Sequence, residues 1–153
     1  ELAKVLASTD SLLKRKAAYE MWAQYWPNYA GEGEDAEFAN WINNSPKYVA
    51  STTLDSVDAW PNSTLLEGDL AESVGKLKAG AGKDISVAGS PTLVRSLLAD
   101  DLLDELQLMI SPVVAGGGRM KLFADDAALR TLELVAAKPT STGVIIATYR
   151  PVR

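Results

Sequence analysis

The 153-residue chain is 47% hydrophobic and 23% charged, carries a net charge of −5 at neutral pH, and contains neither cysteine nor histidine. Such a length buries a full core without staples, and no apolar run reaches the ~18 residues that a membrane helix needs. The two absences exclude disulfides, thiolate chemistry, Ser-His-Asp and Cys-His triads and imidazole metal sites, and the acidic balance argues against broad nucleic-acid binding.

Leu2, Val5 and Leu6 place a short helical stripe at the start, broken by Thr9-Asp10. The chain opens inside that helix without an initiator Met, so a preceding N-terminal piece is expected. Ser11-Leu-Leu13 reads as a short buried strand running into the basic triplet Lys14-Arg15-Lys16. An aromatic-rich helix over residues 17–26 follows, with Tyr19, Trp22 and Trp26 on neighbouring turns, and Pro27 stops it. Gly31-Glu-Gly-Glu-Asp35 reads as an acidic loop, Asp35 capping a helix that runs to Asn43. Phe38, Trp41 and Ile42 form the buried face of that helix at i, i+3, i+4 spacing.

Strand composition returns over residues 47–52 and 63–66, each just after a proline turn. Residues 69–79 form an amphipathic helix with Leu70, Val74 and Leu77 inward, ended by Gly80-Ala-Gly82. A short β-rich run, residues 84–88, is joined by Gly89-Ser-Pro-Thr92 to a helix over residues 93–99. Residues 106–114 read as a longer strand before Gly116-Gly-Gly118, and strands 132–135 and 144–149 flank a hairpin-like connection. Alternating strands and helices followed by consecutive strands predict an α/β fold, a mainly parallel sheet flanked by helices with an antiparallel C-terminal hairpin. No linker or repeat divides the chain, which reads as a single domain.

Chemistry concentrates where strands pass into helices. In Ile85-Ser-Val-Ala-Gly-Ser-Pro-Thr-Leu93 a strand runs through small residues directly into a helix. Gly89 and Ser90 let a ligand approach the backbone, and the helix N-terminus offers free N–H groups and partial positive charge, a seat for phosphate. The same residues also read as an ordinary helix start, with Ser90 or Thr92 as cap and Pro91 in the first turn. Lys14-Arg15-Lys16 offers three cations to a phosphate, although an isolated triplet reads first as a solvated charge run. Ser51 and Thr52 end a strand, where ligands of open α/β sheets sit, or are simply a hydroxyl pair there. Gly116 and Gly117 bend backbone around a flat ligand or form a mobile turn. The rings of Trp22, Tyr25, Trp26, Tyr29 and Trp41 point to core or interface packing. The acidic pairs Asp100-Asp101, Asp104-Glu105 and Asp125-Asp126 read as solvated connections.

The ordered series Tyr19-Glu-Met-Trp22, Tyr25-Trp-Pro27, Val87-Ala-Gly-Ser-Pro-Thr-Leu-Val-Arg-Ser-Leu-Leu98, Leu103-Asp-Glu-Leu-Gln-Leu108, Ser111-Pro-Val-Val114, the triple glycine and Lys121-Leu-Phe123 resembles the dihydrofolate reductase superfamily. Within it, the chain is similar to bacterial proteins related to the C-terminal reductase domain of riboflavin biosynthesis. The resemblance implies a three-layer dihydrofolate reductase-like fold over residues 1–153, lacking its N-terminal strand and loop, and NADPH as cofactor. In that reading Gly89, Ser90, Pro91, Thr92 and Leu93 receive the pyrophosphate, and Ser51 and Thr52 lie against the adenosine-phosphate end. Arg15 and Lys16 occupy the family's Gly-Arg-Lys-Thr position, while Gly116 and Gly117 touch substrate. Two departures stand out. The basic segment lacks the glycine before Arg15 and the threonine after Lys16, and no Thr-Leu-Asp-Gly-like segment precedes Glu1, since Thr53-Leu-Asp-Ser56 follows the wrong strand.

The expected activity is NADPH-dependent reduction of a small pterin- or pyrimidine-like heterocycle. One rival is the riboflavin-pathway reductase itself, acting on a ribosylaminopyrimidine, with Arg119 and Lys121 as the local cations for its phosphate. The other is a nucleotide-binding or structural dimer module without turnover. A homodimer built on the apolar 106–114 strand, and a cytoplasmic setting, complete the expectation.

Overall fold

The computed structural model describes residues 2–118 and 120–153. The chain forms two compact units, Glu1–Leu93 and Val94–Arg153. The first contains α1 (Leu2–Ser8), β1 (Thr9–Arg15), α2 (Lys16–Tyr25), a 3-10 turn (Trp26–Asn28), α3 (Glu34–Asn44), β2 (Lys47–Ala50), β3 (Ser63–Leu66), α4 (Leu70–Ala79) and β4 (Asp84–Ser86). Helix α5 (Pro91–Ala99) follows, then β5 (Leu106–Ile110), β6 (Leu132–Pro139) and β7 (Ile145–Pro151).

Strands β1 to β4 make a wholly parallel sheet in the order β3-β2-β1-β4. Because side chains alternate across a strand, Leu12 and Lys14 of β1 share a face with their registered partners Lys47 and Val49. That face carries the core, where Leu12, Tyr19, Ala23, Ile42, Val49 and Trp60 pack with Trp22, Trp26, Phe38 and Trp41 of the covering helices. Offset and edge-on ring contacts, such as Trp26 with Phe38 at 4.8 Å and 71°, stabilise this layer. The aromatic surplus is therefore chiefly core, and Trp60, fully buried, is a core residue that the local sequence pattern does not single out.

Several expected boundaries move. The first strand extends to Arg15, so only Lys16 of the basic triplet belongs to a helix. Helix α2 tightens into a 3-10 turn around Pro27 rather than stopping at it. Gly33 caps α3 with a φ of 80°, and Asp35 lies inside the first turn instead of capping it. Asp69, read as the first residue of its helix, instead caps α4, its carboxylate accepting from the Glu72 N–H at 3.0 Å. Strand β5 ends at Ile110, short of Val114, and α5 begins at Pro91, two residues earlier than the apolar pattern indicates.

In the second unit β5, β7 and β6 form an antiparallel sheet in that order. The α/β class, the parallel sheet with its helices and the antiparallel C-terminal strands are all present. The antiparallel part is a sheet of its own that takes in β5.

Candidate functional site

In a parallel sheet ordered β3-β2-β1-β4, the chain leaves β1 toward β2 on one side, and β4 lies on the other. The crevice beyond the carboxyl ends of β1 and β4 is thus a topological switch point, where open α/β sheets hold ligands. Arg15 and Lys16 follow β1, and the turn through Gly89 and Ser90 follows β4 into α5. Ser51 and Thr52 lie just past the end of β2, the other neighbour of β1. Three of the sequence-selected segments therefore converge on one end of one sheet.

The charges at the helix starts distinguish which of them invite an anion. Helix α3 carries Glu34, Asp35 and Glu37 in its first turn, and α4 has the Asp69 cap with Glu72 behind it. Their positive ends are already satisfied by the protein's own carboxylates. The first turns of α2 and α5 contain no acid, and the side chain of Arg15, at the N-cap of α2, does not itself cap that helix. Both of these helices open at the switch point.

Gly89 has a φ of 72°, a conformation that costs an L side chain strain, and nothing lies within 4 Å of where its Cβ would stand. The residue thus leaves an open cradle before α5, whose Leu93 N–H closes on the Ser90 carbonyl at 3.0 Å. That hydrogen bond uses the Leu93 N–H, Pro91 has none to offer, and glycine at position 89 keeps the space before the helix clear.

On the other flank, Lys16 donates to Thr53 Oγ1 at 3.2 Å, which ties the α2 start to the loop after β2. Ser51 Oγ accepts the N–H groups of Thr53 and Leu54, both at 3.1 Å, so it shapes the loop. Thr52 is exposed beside it. Behind them the loop is anchored by Trp60. Its indole donates to Asn43 Oδ1 at 2.7 Å, and its N–H donates to the Tyr19 hydroxyl, which itself donates to the Val57 carbonyl at 2.8 Å.

Lys14 does not belong to the site surface. It is fully buried, with its ammonium 3.4 Å from the centre of the Trp22 ring and no hydrogen-bond partner. Burial, with the nearby Lys47 cation second, lowers its pKa to about 8. Lys47, also fully buried, donates to the carbonyls of Ile42 at 2.7 Å, Asn43 at 3.2 Å and Ser45 at 2.7 Å, closing the C-terminal end of α3. Burial lowers its pKa to about 8 as well. The expected three-cation run is thus two cations at the crevice and one in the core. Sequence reasoning missed Lys47 altogether, since one lysine at a strand start carries no signal.

Gly116 and Gly117 lie in an exposed loop of the second unit, Gly117 at φ 89°. Further along, Arg95 of α5 donates to the carbonyls of Leu122, at 2.8 Å, and Lys121, pinning that segment to the helix. Lys121 itself is held by Asp125 at 2.7 Å, and Arg119 lies outside the described residues. Among the described residues no group of acids could hold a metal ion.

The parallel sheet with its helices and the separate antiparallel sheet define an α/β domain of the RibD-like class. The chain belongs to the family described as the RibD C-terminal domain, which it matches over residues 7–146. That family lies in the dihydrofolate reductase-like superfamily, and makes this an oxidoreductase domain of the riboflavin-reductase kind. A Bacillus subtilis protein named YyaP, itself uncharacterized, is 31% identical over 144 residues, covering 94% of this chain and 75% of its own. Among solved structures, a putative riboflavin biosynthesis protein of Shewanella superposes with a TM-score of 0.76 at 18% identity, over 99% of this chain and 78% of its own. A pyrimidine reductase-like protein of Corynebacterium diphtheriae gives 0.69 at 17% identity, over 99% and 79%. RibD of Acinetobacter baumannii gives 0.63 at 13% identity, over 99% of this chain and 49% of its own.

Proposed function

We propose that this domain binds NADPH across the carboxyl ends of β1, β2 and β4 and reduces a small, flat pterin- or pyrimidine-like heterocycle. The observation that carries the reading is the pair of acid-free helix starts, α2 and α5, at the switch point of the parallel sheet. Gly89, Ser90, Pro91, Thr92 and Leu93 cradle the pyrophosphate at the N-terminus of α5. Arg15 and Lys16 hold the phosphate that distinguishes NADPH from NADH, with Ser51 and Thr52 at the adenosine end. Gly116 and Gly117 offer backbone to the substrate. When bound, the nicotinamide supplies the hydride, and this chain's own residues position the cofactor and neutralise its phosphates.

Titrating NADPH and NADH into the protein, followed by nicotinamide fluorescence, tests the reading, with Gly89→Asp as control. Saturable NADPH binding abolished by that substitution supports it, and no binding of either nucleotide by the unaltered protein overturns it.

The rival substrate, a ribosylaminopyrimidine phosphate, is favoured by the family match and needs a cation near the triple glycine. Lys121 serves only by leaving Asp125. The module without turnover is favoured by the loss of Lys14 to the core, which leaves two cations at the crevice. Binding of NADPH without oxidation in the presence of any pterin or pyrimidine would select the module.

The partner is a second copy of this chain, on the antiparallel sheet. Register places Leu106, Leu108 and Ile110 of β5 on one face with Tyr149, Ala147 and Ile145 of β7 and Leu134, Ala137 and Pro139 of β6. That face is apolar throughout, and Ile110, Leu134 and Ile145 are 48%, 54% and 43% exposed. Ile110→Lys is expected to shift the mass measured by light scattering from dimer to monomer. A cytoplasmic single-domain enzyme is the setting that goes with the family.

A further inference from the structure

Among the described residues of the first unit, Lys14 is a fully buried cation whose ammonium makes no hydrogen bond. Lys47 closes α3 through three carbonyls, whereas Lys14 Nζ donates to nothing and rests on the Trp22 ring. The groups that face it are few. Strand β2 presents Lys47 and Val49 on the same face, and α2 presents Trp22 and the Tyr19 hydroxyl, already bonded to Val57 and to the Trp60 N–H. Its own strand adds Leu12 on that face. No carboxylate among the described residues pairs with it.

Its place along the chain is specific. Lys14 immediately precedes Arg15 and Lys16, the cap and first residue of α2. Trp22, on which its ammonium rests, lies six residues into that helix, about 9 Å from the first turn at 1.5 Å per residue. An anion seated at the first turn therefore lies on the order of 10 Å from the Lys14 amine.

We propose that Lys14 is the titrating cation of the anion seat: a phosphate bound at the first turn of α2 draws a proton onto the Lys14 amine, so nucleotide affinity is coupled to pH through a residue the ligand does not touch. The inference rests on the nucleotide reading given above and adds a linkage to it. Between isolated unit charges about 10 Å apart at the effective dielectric of proteins, the attraction moves an amine's titration midpoint up by about one pH unit. Since Lys14 titrates near pH 8 without ligand, uptake centres at about pH 8.5, above the second ionisation of a phosphate monoester.

The test is calorimetric titration of NADPH at pH 8.5 in two buffers of different ionisation heat, with the wild-type protein and Lys14→Met, or Lys14→Gln where the first does not fold. Expected are uptake of about half a proton and an affinity about sevenfold weaker at pH 10 than at pH 7.5, both lost in the variant. Binding without uptake, or uptake that survives the substitution, overturns the linkage and leaves the nucleotide site standing. Failure of NADPH to bind at all overturns the nucleotide reading and the linkage with it.

Discussion

The ammonium of Lys14 stands 3.4 Å from the centre of the Trp22 ring with no oxygen to receive its protons, while Lys47, on the neighbouring strand and the same face, feeds three carbonyls. Two lysines of equal burial thus make opposite contributions to the fold. A buried charge that finds only a ring recovers part of its desolvation cost. A buried charge that closes a helix end satisfies acceptors that would otherwise stand bare.

Lys14→Met keeps the length of the side chain and removes the charge. At neutral pH it is expected to stabilise the protein by about 1–3 kcal/mol, read as a higher urea midpoint with an unchanged m-value. A lower midpoint would mean that the Trp22 contact outweighs desolvation.

Lys47→Met removes three hydrogen bonds at once and strands the carbonyls of Ile42 and Ser45, while that of Asn43 keeps the Asn62 side-chain amide at 2.9 Å. A loss of about 2–4 kcal/mol is expected, opposite in sign to the Lys14 substitution in the same denaturation assay.

The two signs carry a pH dependence. Lys14 titrates near pH 8 in the folded protein, below its ordinary 10.5. Between those values the unfolded chain binds more protons, so this residue's contribution to stability rises with pH. The advantage of Lys14→Met over wild type is therefore expected to be full below pH 8 and to shrink steadily toward pH 10.5. Denaturation at pH 7, 9 and 10.5 reads it directly, and a constant difference would show that Lys14 does not titrate in that window.

Gly89→Ala separates backbone from charge at the proposed phosphate cradle. Space is open around its Cβ position, so the cost comes from the positive φ and is about 1 kcal/mol of stability. Thermal melts should show that loss, and NADPH affinity should fall less than in Gly89→Asp, where the added carboxylate opposes the phosphate. Equal losses of affinity would locate the effect in backbone geometry alone.

Tyr19→Phe deletes the hydroxyl that bridges Val57 and the Trp60 N–H. About 1–2 kcal/mol of stability should go. The loop bearing Ser51 and Thr52 should then exchange its amide hydrogens faster than the β1–β2 core.

How much of this was legible beforehand depended on range. The Gly-Ser-Pro turn into α5 and the apolar stripes of α3 and α4 rest on neighbours within a few residues, and local chemistry decides them. The switch from alternating to consecutive strands likewise announced a parallel sheet followed by antiparallel pairing.

The fate of Lys14-Arg15-Lys16 was not local. As a string it is a charge run, but Lys14 and Arg15 continue β1, and period-two alternation turns Lys14 under Trp22 once β2 and α2 are in place. Trp60 entered the core for the same reason, through Tyr19, 41 residues away. Composition and periodicity by themselves determined most of the elements, the α/β class and the strand-to-helix segments on which the proposed anion site rests. Only the tertiary structure decided the strand order that brings those segments to one end of the sheet and sorts the cations into site and core, because sheet pairing joins residues whose separation along the chain carries no local signal.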